Sequence, residues 1–213
     1  MNTKKIALTI GSVVVTFLFL FLVYTLTNKI ADYKNITVIQ PSDHVKWASK
    51  GEHVLVEYSD LQCPACKTFH ELLNSFESSK SAYAKIPKNT TLIYRHFPLY
   101  QIHESAFDTA YAAEAAGKQG KFFPMLDIIF KDQENLSTTT NIKGYLLSKA
   151  NELGLDKAKF ERDIASKEVK DKVQSDLSQG EGANIGGTPS FFLDGKKLEF
   201  KTLEEFIQIL EKL

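Results

Sequence analysis

The apolar positions of this chain fall into runs of different period, and each period predicts an element. Residues 6–26 carry no charge at all, a stretch long enough to cross a bilayer core as a helix, which takes about 20 apolar residues. Thr37-Val38-Ile39 reads as a short edge strand punctuated by Pro41-Ser42-Asp43. Val54-Leu55-Val56-Glu57-Tyr58 is an apolar run broken by one acid, the pattern of a strand buried on both faces. Phe69, Leu72, Leu73 and Phe76 then recur at helical spacing, predicting a helix that begins near Pro64, where the first turn tolerates proline. Residues 91–97 form a second core strand. From about 100 to 180 every periodic signal is helical: Ala106, Ala110 and Ala113 mark a small-residue face, residues 125–130 are apolar enough to be buried, and Ile142/Leu146/Ala150 and Val169/Val173/Leu177 step by four. Gly117, Gly120 and Gly154 fall where these helices should end. Residues 190–193 and 198–200 around Asp194-Gly195 predict a β-hairpin. Thr202 and Glu205 form a capping box for a last helix whose apolar face is Leu203, Phe206, Ile207 and Leu210.

The resulting order is strand, helix, strand, a long helical block, hairpin and helix. That is a split α/β sheet with an all-helical insertion, and a site is expected where the first core strand ends and its helix starts. The expected organisation is an N-terminal signal anchor or transmembrane helix over 1–27, a tether and lead-in strand over 28–50, and the α/β domain over 51–213. Lys4 and Lys5 precede the apolar span and no small-x-small cleavage site follows it, which predicts an anchor that is kept rather than a signal that is removed. With the lysine-bearing end inside, the chain would be a single-pass membrane protein with its domain outside the cytosol, where disulfides persist.

Charge narrows the function. The chain carries 26 Lys and Arg against 26 Asp and Glu, without the basic excess that nucleic-acid binding requires. A generous supply of phenylalanine, 15 in all, supports a well-filled core.

The chemistry concentrates in the chain's 2 cysteines, which stand together as Cys63-Pro64-Ala65-Cys66. Thiols at this spacing can close a disulfide on themselves. A helix N-terminus beneath them favours the thiolate, because its free N–H groups and dipole stabilise negative charge. Cys63 is then the exposed nucleophile and Cys66 the thiol that resolves its mixed disulfide. A structural staple is the alternative, but so tight a loop adds little entropic stabilisation. A zinc site with His70 lacks the four ligands it would need. Glu57, six residues before Cys63 in an apolar strand, is costly to bury unless protonated or paired. It is a candidate proton acceptor for Cys66, with a water-facing edge position as the alternative. Asp60 reads as a turn or cap residue, His96, His103 and Arg95 as structural groups, and Trp47 as core or interface.

Several segments together resemble the DsbA-like branch of the thioredoxin superfamily over roughly residues 36–213. They are Val56-Glu57-Tyr58-Ser59-Asp60-Leu61-Gln62 before the cysteines, Tyr94-Arg95-His96-Phe97-Pro98-Leu99, the alanine-rich helix leading to Gly120-Lys121-Phe122-Phe123, and Gly186-Gly187-Thr188-Pro189-Ser190-Phe191-Phe192. The chain also resembles the membrane-anchored oxidases of the BdbD-like type. The resemblance implies a thioredoxin fold with an inserted all-helical domain. It implies a cis Pro189 beside Cys63, with Thr188, Pro189, Pro64 and Ala65 contacting an extended substrate, and an acid at position 57. It implies a dithiol oxidase for unfolded or reduced exported proteins, recharged by a membrane quinone-linked partner of the DsbB or vitamin K epoxide reductase type. The cysteine pair is itself the redox centre, with no bound cofactor and no metal. The resemblance departs at Ala65, where many members carry a histidine that helps hold the thiolate. It therefore implies redox exchange more firmly than a strongly oxidising potential. A reductase or isomerase on the same fold, or a substrate-binding module without catalysis, are the competing readings.

Overall fold

β-Branched and aromatic residues concentrate in the strands β2 (His53–Ser59) and β3 (Thr90–His96), and these form the parallel centre of a five-stranded sheet. The computed structural model describes residues 11, 13–22 and 33–213. β1 (His44–Trp47) lies antiparallel along β3, and β4 (Ser190–Leu193) lies antiparallel along β2, followed by the two-residue β5 (Lys196–Lys197). α1 (Pro64–Ser75) and the short α2 (Ile86–Asn89) connect β2 to β3. A helical block then runs through α3 (Ala106–Gly117), α4 (Phe122–Lys131), α5 (Gln133–Thr138), α6 (Ile142–Glu152), α7 (Lys157–Ala165) and α8 (Lys167–Gly182), and α9 (Leu203–Leu210) closes the chain.

Alternation along each strand sorts side chains between the two faces. Leu55, Leu92 and Phe191 meet α1 and α9 through Phe69, Leu73, Phe206 and Leu210. Val56, Tyr58, Ile93 and Phe192 pack on the opposite face with Ile36, Leu177 and Ile185. α8 lies close there because of Gly180: a Cβ at that position would stand 2.5 Å from the Phe97 ring. The block has its own core of Ala112, Ala113, Phe122, Met125, Leu126, Phe130, Leu146 and Phe160, and Cys63, Cys66 and Tyr94 belong to its edge. The cysteine pair therefore sits at the seam between sheet and helical block.

Two expectations are corrected. The edge strand is β1, whereas residues 34–37 form a 3₁₀ turn and Val38 and Ile39 are exposed. The cause is Arg95 of β3, whose guanidinium takes the carbonyls of Ile36 and Val38 at 2.7 and 3.0 Å, leaving neither for a strand ladder. The hairpin turns at Asp194-Gly195, both at positive φ, but its second arm ends at Lys197. Leu198 and Phe200 instead pack into the α1/α9 core. Half of the capping box forms, with the Glu205 N–H donating to Thr202 Oγ1 at 3.2 Å, while the Glu205 carboxylate takes the Lys201 N–H at 2.7 Å in place of that of the N-cap Thr202. Of the expected anchor, residues 11 and 13–22 are helical and exposed, and the remaining positions of 1–27 lie outside the described residues. Among the described residues, no helix is long and apolar enough to cross a membrane.

Candidate active site

β2 ends at Ser59, and Asp60 turns the chain into α1. Its Oδ1 accepts the Gln62 N–H at 2.8 Å and its carbonyl the Cys63 N–H at 3.1 Å. Cys63 is the N-cap of α1, and no side chain caps the helix, so the free N–H groups of the first turn surround its sulfur. Pro64 and Ala65 are exposed between the two cysteines. Cys63 is 8% exposed and Cys66 fully buried, and both are free thiols. Across the site the Thr188–Pro189 peptide is cis, and the Cys63 thiol donates to the Thr188 carbonyl at 3.4 Å.

The two sulfurs ionise very differently. Cys63 is lowered to about 5, first by the Cys66 thiol directed at it, then against burial by the Thr188 hydroxyl and the N–H groups of Cys66 and Ala65. The Thr188 carbonyl works the other way, since only a protonated thiol can donate to it. Ala65 thus contributes through its backbone, where a histidine would have contributed a side chain. Burial pushes Cys66 upward, and the Cys63 sulfur pushes it further. The reachable sulfur is the one that ionises.

Thioredoxin-family sequences, described simply as "Thioredoxin", match residues 40–212 of this chain. The chain belongs to the thioredoxin family. The Na(+)/H(+) antiporter NhaA 1 of Mycobacterium sp. (strain KMS) is 31% identical over 169 residues, 76% of this chain and 26% of that protein. The chain thus spans about a quarter of the length of the curated relatives it matches. Among solved structures, alpha-DsbA1 of Wolbachia pipientis shares the fold with a TM-score of 0.69 at 24% identity, covering 85% of this chain and 95% of that one. Oxidised BdbD from Bacillus subtilis does so with a TM-score of 0.67 at 19% identity, covering 80% and 92%.

In this thioredoxin-family chain, the turn that carries Cys63 meets the cis Thr188–Pro189 peptide through the Cys63–Thr188 contact, with Pro64 and Ala65 exposed beside it and Cys66 buried beneath. Glu57 lies in the central strand between Tyr94 and Phe191, not at a wet edge. Burial raises its carboxyl to about 7, opposed by the Ser59 hydroxyl and the positive charges of His70 and Lys46. The other residues are engaged elsewhere. His70 pairs with Asp127 at 2.7 Å and not with the sulfurs, His96 pairs with Glu114 at 3.1 Å, and Arg95 points to the opposite face.

Two residues escaped the sequence reading. Asp60 is more than a turn former: its Oδ2 accepts the Leu99 N–H at 2.7 Å and lies 2.9 Å from His103 Nδ1, while its own N–H donates to Cys66 Sγ at 3.4 Å. It clamps the loop after β3 against the cysteine pair. Gln133, at the start of α5, donates from Nε2 to the carbonyls of Leu61 and Cys63 at 3.0 and 3.1 Å. Nothing local marks Gln133, which opens the mostly polar α5, and its partners lie some 70 positions away.

Proposed function

We propose that this chain is a thiol–disulfide oxidoreductase that works as a dithiol oxidase. One observation carries the reading: the Cys63 sulfur, nearer the surface of the two, sits at the N-cap of α1 with its thiolate stabilised, over a fully buried Cys66 whose thiol is held protonated. Stabilising the thiolate stabilises the reduced enzyme, and that makes the disulfide a better oxidant. A substrate thiolate attacks Cys63 of the enzyme disulfide, and Cys66 leaves with the bonding electrons and takes up a proton. A second substrate thiolate attacks the mixed disulfide, its sulfur pairs with the first, and Cys63 departs as thiolate. The substrate has lost two electrons and the enzyme has gained them.

Thr188 and Pro189 border Cys63 closely enough to guide an extended segment past it, with Pro64 and Ala65 on the other side. The substrates fitting such an open site are unfolded, reduced exported proteins, and the oxidant that recharges the pair is a membrane quinone-linked partner. Residues 6–26 anchor the chain in the cell membrane with the domain outside the cytosol. A reductase is the second reading, favoured by Ala65, which offers no side-chain donor to the thiolate.

The test is oxidation of a reduced dithiol peptide by the full chain carrying its disulfide. Cys63→Ser should abolish it, and Cys66→Ser, offered the same peptide in its disulfide form, should accumulate a mixed disulfide on Cys63 while releasing the peptide's other thiol. Undiminished oxidation by Cys63→Ser would overturn the reading.

A further inference from the structure

Beneath the cysteine pair, three polar side chains on one face of the sheet each bury an oxygen outside any hydrogen bond of normal geometry. Glu57 and Ser59 stand two residues apart on β2, hence on the same face, and the parallel register sets Tyr94 of β3 opposite Glu57. Glu57 Oε1, Ser59 Oγ and the Tyr94 hydroxyl are all buried without a hydrogen bond, in residues 2%, 1% and 2% exposed. Each such atom costs about 1–3 kcal/mol, so three at one place call for a functional reason. On the opposite face the buried Tyr58 hydroxyl is satisfied by Arg95 at 3.3 Å.

Cys66, fully buried, is held at this end of β2 by Asp60, the residue after Ser59, whose N–H donates to Cys66 Sγ at 3.4 Å. The groups that face Glu57 are Cys63 and His70 from the α1 segment, Lys46 from β1 and Tyr94 from β3, and Phe191 of β4 adds no charge. Ser59 is the group common to all: its hydroxyl favours the charged forms of Glu57, Cys66 and Tyr94 alike. We propose that Ser59 carries the proton between Cys66 and Glu57.

The transfer balances in both directions, and it rests on the exchange reading above. When a substrate thiolate opens the disulfide at Cys63, Cys66 leaves as thiolate, takes the Ser59 proton, and Ser59 recovers one from the Glu57 carboxyl. When a mixed disulfide on Cys63 is resolved, the Cys66 thiol passes its proton to Ser59 as the Ser59 proton moves to the Glu57 carboxylate. The Cys66 thiolate then attacks Cys63 and expels the partner's thiolate.

The experiment compares the full chain with Ser59→Ala and Ser59→Thr. Its readout is release of glutathione from a mixed disulfide on Cys63, followed across neutral pH. Ser59→Ala should slow release on the order of 10²-fold, the low end for a positioned proton donor or acceptor. Its thermal midpoint should be unchanged or raised, the ionisation of Cys63 unchanged, and Ser59→Thr should recover most of the rate. Wild-type rate and pH profile in Ser59→Ala would overturn the proposal. If the parent chain itself exchanges no disulfide, the reading of function falls, and the carboxyl resonance of Glu57 decides the contact alone. Ser59→Ala should move its titration upward, and an unmoved titration would overturn the proposal on that ground too.

Discussion

Gln133 Nε2 and the Cys63 carbonyl, 3.1 Å apart, join the helical block to the first turn of the redox helix. The same carbonyl accepts the Lys67 N–H at 3.2 Å as the opening hydrogen bond of α1. The block is thus a clamp on the backbone that presents Cys63, and not a lid resting beside it.

Gln133→Ala should leave the Leu61 carbonyl unpaired and loosen that turn. A buried polar group without a partner costs about 1–3 kcal/mol, so the thermal midpoint should fall. The Cys63 pKa, read from thiolate absorbance, should rise because the N–H groups of Ala65 and Cys66 are held less firmly against the sulfur. A lower midpoint with an unchanged thiolate titration would confine Gln133 to stability.

Glu57 should make stability fall with rising pH. Its carboxyl titrates near 7 in the folded chain against an ordinary 4.5, so the folded state holds the proton that the unfolded state releases. No stability is lost below about pH 4.5, and the loss builds between there and 7 to roughly 3 kcal/mol. Glu57→Gln should flatten this slope in denaturant midpoints taken across the window. A slope equal to the parent's would contradict the assignment.

Arg95→Met should cost about 3 kcal/mol, the low end for breaking a buried pair, because Asp43 loses Arg95 at 2.8 Å but keeps the Gln40 N–H at 2.7 Å and Lys172 at 3.5 Å. Arg95 lies on the face away from α1, so the Cys63 titration in the surviving folded fraction should not move. Chemical denaturation with a parallel thiolate titration checks both halves.

What could be read from the sequence were the features written in neighbouring residues. The apolar period around Phe69 and Leu73 placed α1, the Cys-Pro-Ala-Cys spacing placed the chemistry at its start, and Glu57 stood out as one acid in an apolar run. What escaped depends on residues distant in the chain. Asp60 looked like a turn residue because its second role is played toward Leu99 and His103. The lead-in read as a strand from Thr37-Val38-Ile39 because nothing nearby reveals that Arg95 will take its carbonyls. Ser59 carries no local signal at all: its importance comes from Cys66 of α1, which the turn at Asp60 folds back against the end of β2.

Ala65→His should add a donor at the exposed position between the cysteines and lower the Cys63 pKa further. A lowering of one unit, about 1.4 kcal/mol, would raise the potential by about 30 mV. An unchanged potential would mean that the backbone N–H groups already saturate the thiolate.

The most direct test of the oxidase reading is the potential of the Cys63–Cys66 couple, measured by equilibrating the full chain in glutathione redox buffers. Cys63 near 5 falls between the nucleophilic cysteines of thioredoxin, at about 7, and DsbA, at about 3.5. Their potentials are about −270 and −120 mV, so interpolation places this couple at roughly −180 mV. A value there supports an oxidase, and one at or below about −270 mV would contradict it.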